Sequence, residues 1–122
     1  MQGNINSAFT CYKAAYDIYK TSGTAKERIN IYGNLANIFL RKNKLDEALL
    51  LYEKSLAISQ KIKDVDGMIR SYVNIALVNT YKNNHDEVLK KYTAALDLIE
   101  TSKKYDTAEL ILYNYSFYLY GI

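Results

Sequence analysis

The sequence predicts an all-α protein, an α-solenoid of antiparallel helix hairpins with about six helices. Self-similarity at a period of 40 residues runs along the chain, and one fixed period is typical of a stacked array. Apolar residues recur at spacings of three and four, as on one face of an α-helix. The 122 residues include no proline and 49% are hydrophobic. Long helices and one sizeable core are therefore expected.

The repeated unit is clearest from residue 32 to residue 56. It combines large, small and aromatic residues around a polar break, at Tyr32, Leu35, Ala36, Phe39, Asn43, Ala48, Tyr52 and Leu56. Forty residues later these positions hold Tyr72, Ile75, Ala76, Asn79, Asn83, Val88, Tyr92 and Leu96. Partial matches to this unit precede and follow the two full copies, at Ala8, Tyr12, Tyr16, Leu112, Tyr115, Ser116 and Leu119.

This unit resembles the tetratricopeptide repeat (TPR), a helix-turn-helix module with a large, large, small, aromatic pattern on its first helix. The resemblance covers nearly the whole chain, with a longer period than the family's usual length of about 34 residues. Asn79 replaces the aromatic Phe39 in the second copy, and Val88 replaces the small Ala48. The resemblance implies a right-handed superhelix in which the first helix of each repeat lines a concave groove.

The elements follow from caps and breaks. Thr24 and Glu27 have the spacing of a capping box, and Asp46 and Glu47 suit the start of a helix because its dipole favours negative charge there. Polar breaks at 42–44 and 63–67 separate the helices. We expect one domain over 1–122, with a second helix of a partial repeat at 5–20, repeats at 25–62 and 67–102, and a first helix at 107–120.

The C-terminal stretch 111–122 is apolar on every side, whereas terminal repeats of a solenoid usually carry a polar outer face. We therefore expect either continuation into further repeats or a homodimer that covers this helix.

Composition narrows the class of partner and the compartment. The 16 basic and 13 acidic side chains are interspersed and give a net charge of +3, which argues against nucleic acid as a partner. No apolar stretch has the length of a membrane span, and no signal peptide is recognisable. With a single cysteine, Cys11, the expected location is cytoplasmic.

No catalytic motif is recognisable, so we expect no enzyme, cofactor or metal. His85 is the one histidine, and it falls at the register of Leu45 in an inter-helix turn. Asp86 and Glu87 repeat the helix-start pair of the preceding repeat. Glycine-rich phosphate loops, His-Glu-x-x-His and paired cysteines are missing from the sequence.

An asparagine column marks the candidate ligand site, because Asn34, Asn74 and Asn114 are 40 residues apart. Residues at such positions share one helix face with neighbours three and four residues away. By resemblance to the family, this face is expected to bind a protein or an extended peptide, whose backbone an asparagine amide can match with one acceptor and two donor hydrogens. Hydrogen bonds of these asparagines within the scaffold or to water are the alternative. The predicted ligand-binding residues are Asn30, Asn34, Asn37, Arg41, Arg70, Asn74, Leu77, Tyr81, Asn114 and Phe117.

Several functions remain open at this point. The leading one is a peptide-binding scaffold, as a fragment of a larger regulator or adaptor. Long repeats with groove asparagines also resemble the peptide-pheromone-sensing domains of bacterial regulators. Self-association through the apolar C-terminal helix is an alternative of a different class. Capture of a C-terminal carboxylate by a two-carboxylate clamp is disfavoured, because its three cation positions hold Gly33, Leu110 and Asn114.

Overall fold

The computed structural model describes residues 2–103, which form five α-helices and no strand. The helices are α1 (Gln2–Ser22), α2 (Ala25–Arg41), α3 (Leu45–Lys61), α4 (Val65–Tyr81) and α5 (His85–Ser102). The predicted all-α class is thereby confirmed. The predicted sixth helix at 107–120 lies outside the described residues.

The turns between helices recur at half the predicted period. Asn43, Lys63, Asn83 and Lys103 all have left-handed backbone, with φ between 58° and 61°, and they stand 20 residues apart. In the first turn the Asn43 N–H donates to the Leu40 carbonyl, and the Lys44 N–H donates to the Phe39 carbonyl at 2.8 Å. This Schellman pair satisfies carbonyls at the end of α2. The same two bonds close α3 and α4.

One of these turns offers a test of backbone strain. Lys63 is exposed and its side chain makes left-handed backbone unfavourable, which glycine would relieve. We expect Lys63→Gly to raise the free energy of unfolding by about 1 kcal/mol in urea denaturation. As a control, Glu53→Gly in the exposed middle of α3 should lower it by about 1 kcal/mol. Destabilisation by Lys63→Gly would show that the strain is compensated by contacts of this lysine.

Side-chain hydrogen bonds cap the N-termini of α2 and α4, the first helices of the two hairpins. The Glu27 N–H donates to Thr24 Oγ1 at 3.2 Å, and the Thr24 hydroxyl in turn donates to Glu27 Oε1 at 3.1 Å. In α4 the Gly67 N–H donates to Asp64 Oδ1 at 3.1 Å. Because Asp64 caps this helix, α4 begins at Val65, and Gly67 belongs to its first turn rather than to the predicted break.

Two core clusters hold the array together, and α4 contributes to both. The first joins α2, α3 and α4 through Leu35, Ala36, Ala48, Leu51, Tyr52, Ile75 and Val78. The second joins α4 and α5 through Ile69, Ala76, Val88, Tyr92, Ala95 and Ile99. Since α4 is covered on two sides, the second hairpin stacks on the first, as in a solenoid.

Asn79 is a polar departure from the repeat in the core. Its counterpart Phe39 packs edge-on against Phe9 of α1, with ring centroids 5.4 Å apart. Asn79 is 3% exposed, and its Nδ2 donates to the Ile75 carbonyl at 3.0 Å within the same helix. The polar substitution is thus accommodated by a local hydrogen bond.

The helices pack in the order of a repeat array. α2 pairs with α3 and α4 with α5, while α3 packs on α4 and α1 packs on α2. The first helices of the two hairpins, α2 and α4, also touch each other directly. This contact brings the two asparagine-bearing helices together.

Candidate functional site

A cleft of about 170 Å³ lies between α2 and α4, with α3 as its floor. Five of the predicted site residues line it, namely Asn30, Asn34, Asn37, Arg70 and Asn74. The other predicted residues lie elsewhere. Arg41, Leu77 and Tyr81 are outside this cleft, towards the C-terminal ends of α2 and α4. Asn114 and Phe117 fall beyond the described residues.

The floor of the cleft is the buried Tyr52, which the predicted set of site residues did not include. Tyr52 is 1% exposed, and its hydroxyl donates a hydrogen bond to Asn37 Oδ1. Burial raises the Tyr52 pKa from 10.0 to about 12, because removing the ring from water disfavours the charged phenolate. Asn37 therefore serves the scaffold as well as lining the cleft. In the second repeat, the position equivalent to Asn37 is occupied by Leu77.

A second hydrogen bond ties the floor to a wall. The Ser55 hydroxyl donates to the Ile29 carbonyl at 3.2 Å, and this bond is buried. It joins α3 to α2 at the floor of the cleft. Two side chains of α3, Tyr52 and Ser55, therefore hold the α2 wall. Such cross-helix bonds depend on the packing of particular helices, which a repeat pattern does not reveal.

The bond from Tyr52 to Asn37 predicts a pH-dependent stability difference. At neutral pH, Tyr52→Phe should lower the free energy of unfolding by about 1 kcal/mol, since it removes this hydrogen bond. The folded-state pKa is raised, so the tyrosine's stabilising contribution is complete below pH 10 and is lost as pH rises towards about 12. Urea denaturation of both proteins across this range should show the difference shrinking. A constant difference would contradict the burial of a protonated hydroxyl.

The side chains on the walls remain available to a ligand. Among the side chains that the structure describes, no hydrogen bond or ion pair engages those of Asn30, Asn34, Asn74 or Arg70. Asn34 and Asn74 are half-buried, so their amide dipoles are partly removed from water. Unlike Asn37, they have no structural partner in this part of the chain.

Gly33 lines the α2 wall of the cleft, and the packing of the helices does not require a glycine at this position. It stands in the middle of α2, and a Cβ added to it would meet no atom within 4 Å apart from its chain neighbours and the nearby backbone of α2 itself. Glycine inside a helix costs about 1 kcal/mol relative to alanine. By contrast, a Cβ on Gly67 would lie 2.6 Å from Ser59 Oγ, so close packing requires that glycine. The space at Gly33 is open to the cleft instead.

The site carries little of the chemistry of a metal centre. In the part of the chain that the structure describes, no group of three His, Cys, Asp or Glu side chains could hold a metal ion. His85 is exposed at the first residue of α5, and Cys11 is exposed on α1. None of the described helices has the length and apolar character needed to span a membrane.

These features define a helical-repeat protein whose stacked hairpins leave a polar cleft between successive first helices. The family model described as Tetratricopeptide repeat matches residues 1–61 and again residues 27–101. The chain therefore belongs to the tetratricopeptide repeat family, whose members commonly mediate protein–protein interactions as scaffolds without catalysis. No curated protein and no solved structure matches the chain.

Proposed function

We propose that the chain is a scaffold that binds a partner protein through an extended peptide segment in the cleft between α2 and α4. The observation that carries this proposal is a set of amides on both walls that have no partner among the described side chains. Asn34 and Asn74 occupy the same register of successive first helices and line one cleft. Each presents donor hydrogens and an acceptor, which is what a peptide backbone requires on both of its polar groups.

The size of the cleft favours a chain over a compact small molecule. At about 170 Å³, it is smaller than the 300–1,000 Å³ typical of small-molecule pockets. An extended segment needs to place only one edge of its backbone in the cleft. Its side chains can point along the groove. Gly33 leaves room for such a close approach.

The remaining predicted residues take different roles in this proposal. Asn37 keeps its Oδ1 on Tyr52 and offers only its amide hydrogens to the ligand. Arg41, Leu77 and Tyr81 lie further along the same helix faces and contact the parts of the partner beyond the cleft. Self-association through residues 107–120 depends on a segment outside the described residues.

A random peptide library displayed on phage tests the proposal. Peptides enriched on the wild-type protein are synthesised and their affinity is measured by fluorescence anisotropy. We expect the double variant Asn34→Ala with Asn74→Ala to bind them about tenfold or more weakly, because two hydrogen bonds of about 1 kcal/mol each are lost. Asn37→Ala is left out of this variant, since it would also release the Tyr52 hydroxyl.

The matched control removes two amides outside the cleft. Gln60→Ala with Asn84→Ala removes two exposed side-chain amides, from α3 and from the turn before α5. The Gln60 amide donates to the Tyr72 hydroxyl at 3.3 Å, so this control also loses one surface hydrogen bond. This control should bind with wild-type affinity, and circular dichroism should show unchanged helicity in both variants. Equal affinity of the cleft variant and the wild type would refute the proposed site.

A further inference from the structure

The face of α4 beside the cleft changes in chemistry along the helix. Arg70 lies near its N-terminal end, Asn74 follows, and Leu77 and Tyr81 come last. Residues at these spacings of four, three and four share one face of a helix. Leu77 is 37% exposed and Tyr81 is 60% exposed. The face thus offers a cation at one end and apolar surface at the other.

The Arg70 guanidinium is positioned for an acidic group. Arg70 lines the main cleft and also a neighbouring cleft of about 150 Å³ that contains Lys26, Asp64 and Asp66. Although two carboxylates lie nearby, no ion pair to Arg70 forms among residues 2–103. Asp64 accepts the Gly67 N–H as the cap of α4. An arginine beside a ligand cleft that has no ion pair within the described part of the chain matches a carboxylate of the ligand, which it can hold through two parallel hydrogen bonds.

We propose that the cleft selects an extended peptide in which a side-chain carboxylate and an apolar side chain are about three residues apart. The carboxylate pairs with Arg70, and the apolar side chain packs on Leu77 and Tyr81. This inference rests on the proposed function and adds to it the sequence pattern that the cleft prefers.

The spacing follows from the geometry of the two chains. Arg70 and Leu77 are separated by two turns of helix, or about 10 Å at 1.5 Å per residue. A polyproline II peptide rises about 3.1 Å per residue and repeats every three residues, so two side chains on one side are about 9 Å apart. A β-strand alternates its faces and places same-side residues about 7 or 13 Å apart.

The polyproline II conformation also suits the polar walls. It has no internal hydrogen bonds, so all of its backbone groups are free to pair. Asn74 stands between Arg70 and Leu77 on α4, and Asn34 faces it from α2 across the cleft. These amides can therefore bind the backbone between the two anchored side chains of the ligand.

Capped synthetic peptides test the inference, since blocked ends remove any terminal carboxylate. Each peptide carries one glutamate and one leucine in an alanine and serine background. Their separation and order vary through the series, and each peptide has a partner with glutamine in place of glutamate. Affinity for the wild type, Arg70→Gln, the charge control Lys61→Gln and the blocked-cleft variant Gly33→Leu is measured by anisotropy.

We expect the tightest binding at a separation of three residues, in one of the two orders. Glutamine in place of glutamate should weaken it about tenfold, because a charge-assisted pair is lost. Arg70→Gln should abolish this preference, whereas Lys61→Gln should preserve it. High salt should reduce the preference in the wild type.

Other outcomes separate this inference from the proposed function. Binding that Gly33→Leu abolishes but that ignores the glutamate, or its distance from the leucine, overturns the inference and leaves the peptide-binding cleft intact. Binding that Gly33→Leu leaves unchanged overturns both. No binding by any peptide of this series overturns the inference, while the library-enriched peptides decide the proposed function. Displacement of the peptides by a single-stranded oligonucleotide in an Arg70-dependent manner would assign Arg70 to phosphate and also overturn the inference.

Discussion

Replacing Ala48 by leucine is expected to lower the free energy of unfolding by about 1–3 kcal/mol. Ala48 of α3 and Ala36 of α2 both belong to the first core cluster, and both are 0% exposed. Short side chains at these two positions let the helices approach closely. Three additional carbon atoms at Ala48 would force the helices apart or push neighbouring side chains off their preferred rotamers.

Ala57→Leu is the matched control for this prediction. Ala57 lies on the same helix but is exposed, so the same substitution there should change stability by no more than about 0.5 kcal/mol. Ala48→Val should fall between wild type and Ala48→Leu, since Val88 fills the equivalent position of the second repeat at 0% exposure. Urea denaturation measures all three variants. An unchanged midpoint for Ala48→Leu would contradict the close helix contact.

Gly33 is expected to separate stability from binding. Gly33→Ala should raise the free energy of unfolding by about 1 kcal/mol, because alanine is the better helix former and its Cβ would meet no atom within 4 Å. Gly33→Leu should also fold, but its side chain would occupy the space where the ligand backbone approaches. We expect the peptide affinity of this variant to fall at least about tenfold, because losing even one pair of hydrogen bonds to the ligand weakens binding by that factor.

Gly67→Ala is expected to have the opposite effect on the free energy of unfolding and serves as the comparison. There a Cβ would lie 2.6 Å from Ser59 Oγ and 2.8 Å from Asp64 Oδ2, so the first turn of α4 would have to shift. We expect a loss of about 1–3 kcal/mol in the free energy of unfolding. Thermal denaturation and anisotropy of the three glycine variants give both readouts. Wild-type peptide affinity in a folded Gly33→Leu protein would show that the ligand does not enter this cleft.

The helices were predictable because their signals are local. The spacing of apolar residues and the Thr24 cap set α2 at 25–41, which is the range observed. The start of α4 was harder, because Gly67 suggests a break unless the cap at Asp64 is recognised. The 20-residue recurrence of the turns was also missed. Lysine is not a typical left-handed residue, yet Lys63 takes this conformation because the packed helices on either side determine the turn.

The candidate site was predictable only in part. Helical periodicity places Asn30, Asn34 and Asn37 on one face, but only packing shows that Arg70 and Asn74 face them across one cleft. The pairing of Asn37 with Tyr52 could not be predicted, because the bond joins residues of two helices through one choice of rotamer. Sequence marks Gly33 as unusual within a helix. Only the coordinates show that packing does not require it.

Nuclear magnetic resonance of the asparagine side chains shows whether a peptide ligand contacts both walls of the cleft. The side-chain amide signals of Asn34 and Asn74 are assigned by their disappearance in the single alanine variants, and those of Gln60 and Asn84 serve as references outside the cleft. A library-enriched peptide is then titrated into the labelled protein. The Asn34 and Asn74 signals are expected to shift together, with the same saturation point, while the references stay fixed. Saturable binding that moves the reference amides and leaves Asn34 and Asn74 unchanged would contradict it.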